Sequence, residues 1–220
     1  MISPLVVSLC DYTGNVVRPW AAAGYDCLCI DIAHETPTQY QVHEGGGTIW
    51  FIKADLLDCV STWLPVGRVP AFACGFPPCT HTAVSGAKYF RTKGPRAAAE
   101  AFAVIARVAE LLQWFGCPYF YEQPVATSST YCGKPSCVFD PCDYAGYSPE
   151  PDKDAYTKRT CLWTGGGFVM PEAKRLEPVR VCAQGSWVQK LGGKSERTKR
   201  LRSATPLGFS QAVYEANHKG

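Results

Sequence analysis

The sequence predicts an α/β fold: a mostly parallel sheet with helices on both faces. Three observations lead there. Short apolar runs of strand length recur along the N-terminal half, segments of helical composition alternate with them, and each run closes on a glycine, an acid or a cysteine. In such a sheet the carboxyl ends of the strands share one rim, where open α/β sheets bind ligands.

The elements follow in order. Leu5-Val6-Val7-Ser8-Leu9 reads as a buried strand, with the turn chemistry of Asp11-Tyr12-Thr13-Gly14-Asn15 behind it. Val16 to Gly24 has helical composition, with Pro19 tolerable only in the first turn. Cys27-Leu28-Cys29-Ile30 is a second strand ending on Asp31, and Thr48 to Ile52 a third, followed by Asp55. A fourth apolar run, Val69 to Phe76, closes on Pro77-Pro78-Cys79, where the prolines stiffen the backbone that carries the thiol. Pro95 to Trp114 is the clearest helix, Ala-rich, with Gly116 as its stop. Tyr119-Phe120-Tyr121 is a fifth strand ending in Glu122-Gln123-Pro124. From Thr127 the regular pattern gives way to a Cys-, Pro- and Tyr-rich loop over 127–156, and a strand-like pattern resumes at Arg159 to Trp163. Lys190 to Arg202 is expected to be a mobile basic stretch, and Pro206 to Asn217 a terminal helix with Thr205 as N-cap.

The bulk composition sets limits. With 220 residues, 46% hydrophobic and 19% charged, the chain can bury a core, so wholesale disorder is excluded. A net charge of +3 permits a local nucleic-acid patch without demanding one. No run reaches membrane-spanning length. Twelve cysteines without a secretory leader point to a reducing, cytoplasmic compartment, with the thiols as core residues, ligands or nucleophiles.

Gly14, Asp31, Asp55, Cys79 and Glu122 all lie just past strand ends and are expected to converge. A glycine turn after the first strand suits close approach to a cofactor, and an acid after the second suits ribose hydroxyls. The plainer readings are a turn residue for Asp31 and a helix N-cap for Asp55. Cys79 and Glu122 together suggest covalent catalysis on an electron-poor ring: a thiolate adds once a carboxylic acid has activated a ring nitrogen. A strand-end carboxylate paired with a lysine or arginine is the alternative for Glu122.

The order of these motifs resembles the cytosine-carbon-5 methyltransferases that use S-adenosylmethionine, in their small phage-type form. The resemblance runs through Asp11-Tyr12-Thr13-Gly14, Asp31, Asp55, Pro77-Pro78-Cys79, Glu122-Gln123-Pro124, Lys158-Arg159-Thr160 and Gly208 to Val213. It implies a single Rossmann-like class I methyltransferase domain over 1–220 that methylates carbon 5 of cytosine in DNA as a monomer, with the base flipped out of its stack. It implies Cys79, Glu122 and Arg159 as catalytic residues: nucleophile, acid at the ring nitrogen, and base contact. It implies S-adenosylmethionine held by Asp11, Tyr12, Gly14, Asn15, Asp31, Ile32, Asp55, Leu56, Pro77 and Ser210. A free nucleotide or RNA as substrate, and a non-catalytic binding module, are the competing readings.

The chain departs from the family pattern at several places. Asn15 and Val16 stand where a second glycine is usual, Gln123 replaces an asparagine and Thr80 a glutamine. Only about fifty residues separate Arg159 from Gly208, leaving a reduced basic segment, 185–203, in place of a recognition domain. Weak, short-context sequence specificity is therefore expected. Lys194, Arg197, Lys199, Arg200 and Arg202 are the expected phosphate contacts of that segment, joined by Thr80, Ser85 and Lys88 behind the nucleophile. His81 is expected to support Cys79 through hydrogen bonding. Cys132, Cys137 and Cys142 are spaced too loosely for a zinc knuckle, and no metal is expected.

Overall fold

The computed structural model describes residues 3–183, 185–191 and 195–218, without the side chains of 84–86, 189 and 196. Its centre is an eight-stranded sheet: β1 (Leu5–Leu9), β2 (Asp26–Ile30), β3 (Thr38–Val42), β4 (Thr48–Ile52), β5 (Pro70–Gly75), β6 (Tyr119–Pro124), β7 (Cys137–Phe139) and β8 (Thr160–Gly165). The strand order is β3-β4-β2-β1-β5-β6-β8-β7. The five central strands are parallel, while β3, β8 and β7 pair antiparallel at the two edges. The α/β fold with a mostly parallel sheet is as the sequence predicts.

Two cores sandwich the sheet because β1 is buried on both faces. Leu5, Val7 and Leu9 point to one side, joined by Ile30, Ala73 and Tyr121. Helix α2 (Phe90–Phe115) covers them with Ile105, Val108, Leu111, Leu112 and Phe115, which recur at helical spacing. Val6, Cys29, Phe72 and Phe120 point to the other side, beneath α1 (Arg18–Ala22) through Trp20 and α7 (Leu207–Asn217) through Phe209, Ala212 and Val213. Each fully buried Leu, Ile or Phe here contributes about 1.5–3 kcal/mol. Continuous apolar runs are what a sheet covered on both faces requires.

Between them lie the short helices α3 (Ser128–Cys132), α4 (Pro151–Asp154), α5 (Trp187–Lys190) and α6 (Glu196–Ser203). Several expectations need correction. The segment 127–156 is not a loop throughout: it contains α3, β7 and α4, and β7 extends the sheet beside β8. Its three-residue strand is too short to show a period-2 pattern. The exposed strand β3, Thr-Gln-Tyr-Gln-Val, was missed because burial gives it no apolar face; it forms by pairing with β4. The basic stretch holds the ordered helix α6, capped by Ser195, whose Oγ accepts from the Thr198 N–H at 3.2 Å. α2 begins earlier than Pro95, with a break at Gly94 (φ 75°) that lets Pro95 open the main helix.

Thr205 does not cap α7. Pro206 occupies the cap position without a side-chain bond, and the carboxylate of Asp154 supplies the cap from α4, accepting from the Gly208 N–H at 2.7 Å. A side chain at Gly208 would collide with the Tyr144 carbonyl, 2.3 Å from its Cβ position. Closeness to that backbone, more than helix propensity, explains the glycine.

Candidate active site

The parallel register aligns the strand ends. Leu9 lies beside Ile30 and Gly75, Ile30 beside Ile52, and Gly75 beside Tyr121. One residue further, Cys10, Asp31, Lys53, Phe76 and Glu122 form the rim. Cys10 carries a left-handed backbone (φ 54°), a strained conformation for a residue with a side chain. Its thiol is pushed far up by burial and then by the charges of Asp31, Asp11 and Asp55. The three carboxylates therefore gather around the end of β1.

Asp11 organises the loop behind β1. Its Oδ1 accepts from the N–H groups of Gly14 (2.8 Å) and Thr13 (3.0 Å) and from the Thr13 hydroxyl (3.2 Å), while Oδ2 accepts from Ser8 Oγ at 2.8 Å. Gly14 is left-handed (φ 65°), and a Cβ there would stand 2.9 Å from the Phe51 ring. Asn15 donates through Nδ2 to the Thr205 carbonyl at 3.1 Å, tying this loop to the start of the α7 segment. Asp31 and Asp55 each form a local turn, accepting from the N–H of Ala33 (2.8 Å) and Leu57 (2.9 Å) respectively. Burial raises the Asp31 carboxyl above its ordinary value. Ile32 beside it is exposed, Leu56 belongs to the core, and Ser210 Oγ donates to the Pro206 carbonyl at 3.0 Å.

A cleft of about 450 Å³ opens beside this loop, lined by Tyr12, Thr13, His34, Glu35, Phe51 and, from the α6 side, Arg200. Tyr12 and His34 stack at 5.4 Å, Phe51 meets His34 edge-on at 5.5 Å, and the Arg200 guanidinium lies 4.0 Å over Tyr12. His34 is 7% exposed and its Nε2 is buried without a hydrogen-bond partner. Such a group ordinarily finds one.

Cys79 sits four residues beyond the last residue of β5, in a turn held from two directions. The Cys79 carbonyl accepts from the N–H groups of Thr82 (3.1 Å) and Ala83 (2.9 Å). Gln123, 1% exposed, donates through Nε2 to the Pro77 carbonyl at 2.5 Å and accepts through Oε1 from the Thr82 hydroxyl at 3.2 Å. The end of β6 thus grips both flanks of the Cys79 turn. Pro77 is buried, Thr80 is exposed with its carbonyl accepting from Lys93 Nζ at 2.7 Å, and Lys88 is exposed over the Tyr89 ring. His81 Nδ1 is buried and makes no hydrogen bond. The side chain of Ser85, and Lys194 altogether, lie outside the described residues.

Glu122 Oε1 is sealed from solvent with no hydrogen-bond partner. Burial raises its carboxyl, opposed by the Lys158 charge. Burial likewise raises the Cys79 thiol, followed by the charge of Glu122, while Lys158 and Arg202 pull it down. The two groups therefore sense each other. A proton on Glu122 removes the charge that disfavours the Cys79 thiolate and leaves the cations Lys158 and Arg202 to favour it. Arg159 is exposed, and its charge acts on Cys161, whose thiol burial and then the Glu122 charge raise against it.

Sequence reasoning missed Lys158 and His34. Lys158 lies one residue from Arg159, and alternation toward β8 gives the two different surroundings. Its Nζ donates to the Arg202 carbonyl at 3.1 Å. Nothing around His34 in the sequence marks it. Among the described residues, no group of three or more His, Cys, Asp or Glu side chains is gathered to hold a metal, and no helix is long and apolar enough to cross a membrane.

No protein-family model matches this chain, and no curated protein matches it. Among solved structures, a protein described as a "putative DNA modification methyltransferase encoded within prophage" from E. coli is similar over 74% of this chain, with 13% sequence identity and a TM-score of 0.45. The match covers 46% of that protein, so this chain spans less than half of its length.

Proposed function

We propose that this protein transfers a methyl group from S-adenosylmethionine to carbon 5 of cytosine in DNA, with weak sequence specificity. The observation that carries the reading is the buried Glu122 Oε1 without a hydrogen-bond partner, next to Gln123, whose side chain bonds both flanks of the Cys79 turn. Burial favours the protonated form of the carboxyl, and Oε1, buried without a partner, has no bond within the protein to give up to a ring nitrogen.

The cofactor supplies an electrophilic methyl on a sulfonium sulfur. The residues around the β1 end suit such a ligand: Gly14 gives the loop beside the cleft its left-handed turn, Asp31 and Asp55 lie past the ends of β2 and β4 with carboxylates, and His34 Nε2 is buried without a partner. The Cys79 thiolate adds to carbon 6 of cytosine, forming an S–C bond. Glu122 delivers its proton to ring nitrogen 3, so the displaced electron pair collects at carbon 5 as an enamine. Carbon 5 would take the methyl group, the electron pair of the broken S–CH3 bond staying on sulfur as a neutral thioether. Loss of the carbon 5 proton to a base and return of the nitrogen 3 proton to Glu122 then expel Cys79 as thiolate. Lys158 holds the charge of the thiolate and of the spent carboxylate.

The exposed basic residues of α6 (Arg197, Lys199 and Arg202) are the proposed phosphate contacts. Between β8 and α7 only the short helices α5 and α6 are present among the described residues, which favours short-context recognition and makes a free nucleotide or RNA the second reading. Incubation with a 5-fluorocytosine duplex and S-adenosylmethionine tests the chemistry, since fluorine cannot leave carbon 5 as a proton does. A covalent adduct that Cys79→Ser abolishes is expected; no adduct from folded protein would sink the proposal. Parallel methyl-transfer assays on duplex, RNA and deoxycytidine monophosphate separate the substrates.

A further inference from the structure

Strand β3 closes one edge of the sheet, and among the described residues no strand lies beyond it. Every residue from Thr38 to Val42 is exposed. Its bonds to β4 decide which backbone groups are left over. The Pro37 carbonyl accepts from the Lys53 N–H at 3.0 Å, and the His43 N–H donates to the Gly47 carbonyl at 2.9 Å. Bonded pairs alternate with unbonded ones in an antiparallel register, so Gln39 and Gln41 turn their N–H and C=O groups toward β4. Thr38, Tyr40 and Val42 turn theirs away from it.

Edge strands are ordinarily blunted by charge, proline or a bulge. No charged residue falls between Thr36 and Val42. The register with β4 runs through without a shift. Pro37 precedes the strand, and the N–H it lacks belongs to the β4 side, so the outer edge stays open. Tyr40 and Val42 are 61% and 64% exposed, although Tyr40 lies 5.1 Å from the Trp50 ring.

The outward groups are symmetric about Tyr40. A second β3 laid antiparallel, Tyr40 opposite Tyr40, sets Thr38 opposite Val42 at both ends, and each outward N–H meets an outward C=O. A strand paired with its own copy sets mirror positions against each other, so any charge in it risks meeting like charge. This run carries none. Just outside it, Glu44 falls opposite Thr36 and Glu35 opposite Gly45, so no carboxylates face each other.

We propose that two copies of this chain pair through β3, antiparallel about a two-fold axis at Tyr40, so that their sheets become continuous. The contact is isologous and uses up the edge, so association stops at the dimer. It departs from the monomer that the family resemblance implies and is independent of the function proposed above. Thr38, Tyr40 and Val42 alternate with Gln39, which lines the cleft, so substitutions on the first three leave the cleft lining as it is.

The test is sedimentation velocity of the full chain from about 1 µM to about 1 mM. A five-residue strand makes a small interface, so half-dissociation is expected near about 100 µM. Thr38→Lys with Val42→Lys sets lysine opposite lysine and is expected to raise the dissociation constant at least 10-fold. Thr38→Glu with Val42→Lys sets each lysine opposite a glutamate of the other copy, and is expected to restore the dimer. Tyr40→Pro removes an N–H that faces away from β4 and is expected to weaken association at least 10-fold while the β3–β4 bonds remain. Thermal unfolding at the lowest concentration checks that each variant is folded. A monomer across the whole range leaves the edge to another occupant and overturns the proposal. A dimer indifferent to both the lysine pair and Tyr40→Pro lies elsewhere on the surface and overturns it too. A glutamate–lysine variant as weak as the lysine pair overturns the Tyr40-centred register, and species larger than a dimer overturn the closure.

Discussion

The side-chain amide of Gln123 donates to the Pro77 carbonyl at 2.5 Å and so joins the end of β6 to the turn that carries Cys79. The same amide group accepts from Thr82, three residues past Cys79. Glu122 and Cys79 are thereby held in one frame, since Gln123 is the immediate neighbour of Glu122.

Gln123→Leu removes both bonds, leaving the Pro77 carbonyl without the Gln123 amide and the Thr82 hydroxyl with only the Cys79 carbonyl. A loss of about 2 kcal/mol in stability is expected, with adduct formation about 100-fold slower because the thiol is misplaced. Gln123→Asn, one methylene shorter, is expected to recover little. Urea denaturation and single-turnover trapping measure the two effects; a variant with unchanged trapping rate would remove Gln123 from the site.

Asp154 caps α7 from another element. Asp154→Ala is expected to cost about 1–2 kcal/mol, lowering Tm by about 2–8 °C. Asp154→Asn keeps an acceptor and is expected to lose less. Thermal unfolding followed by circular dichroism decides; an unchanged Tm for the alanine variant contradicts the capping role.

Gly14→Ala meets two penalties: a left-handed backbone, about 1–2 kcal/mol, and contact with Phe51. S-adenosylhomocysteine binding is expected to fall at least 10-fold. Adding Phe51→Leu relieves only the contact, so the double variant should recover part of the stability. Full recovery would show that backbone conformation is irrelevant at this position.

The buried Glu122 gives a pH signature. Its folded-state value lies above the ordinary 4.5, so its contribution is full at low pH and is lost as pH rises through the folded value. Glu122→Gln is therefore expected to be more stable than the parent at pH 8, with the gap closing near pH 4, while adduct formation falls about 100-fold or more. Denaturant midpoints at the two pH values test the sign. A variant less stable at pH 8 would mean that the carboxylate is well partnered.

Thiol labelling should follow the local electrostatics. Cys59 is exposed and its thiol is lowered by its bonds to Ser61, so iodoacetamide should modify it first. Cys79 should follow more slowly, and the buried Cys29 and Cys74 last. Lys158→Met removes a charge that favours the Cys79 thiolate and is expected to slow its labelling several-fold at pH 8. Peptide mapping by mass spectrometry reads the order; equal Cys79 rates in parent and variant would contradict the assignment of Lys158.

The sequence by itself determined the five parallel strands at the centre of the sheet. Runs such as Leu5–Leu9 and Cys27–Ile30 are apolar because both faces of a central strand are covered, and burial of that kind is written locally. The turn residues that end those strands are local as well, so Gly14, Asp31, Asp55, Cys79 and Glu122 could be expected on one rim, though not their order along it. Only the tertiary structure decided what each side chain meets there. β3 exists through pairing with β4, the α7 cap comes from Asp154 more than fifty residues away, and the half-buried Lys158 rather than the exposed Arg159 bears on Cys79. α6, read from composition as a mobile basic stretch, is a helix set between Tyr12 and Lys158. These are contacts between groups distant in the chain, and their strength depends on separation and burial, which neither periodicity nor motif order encodes.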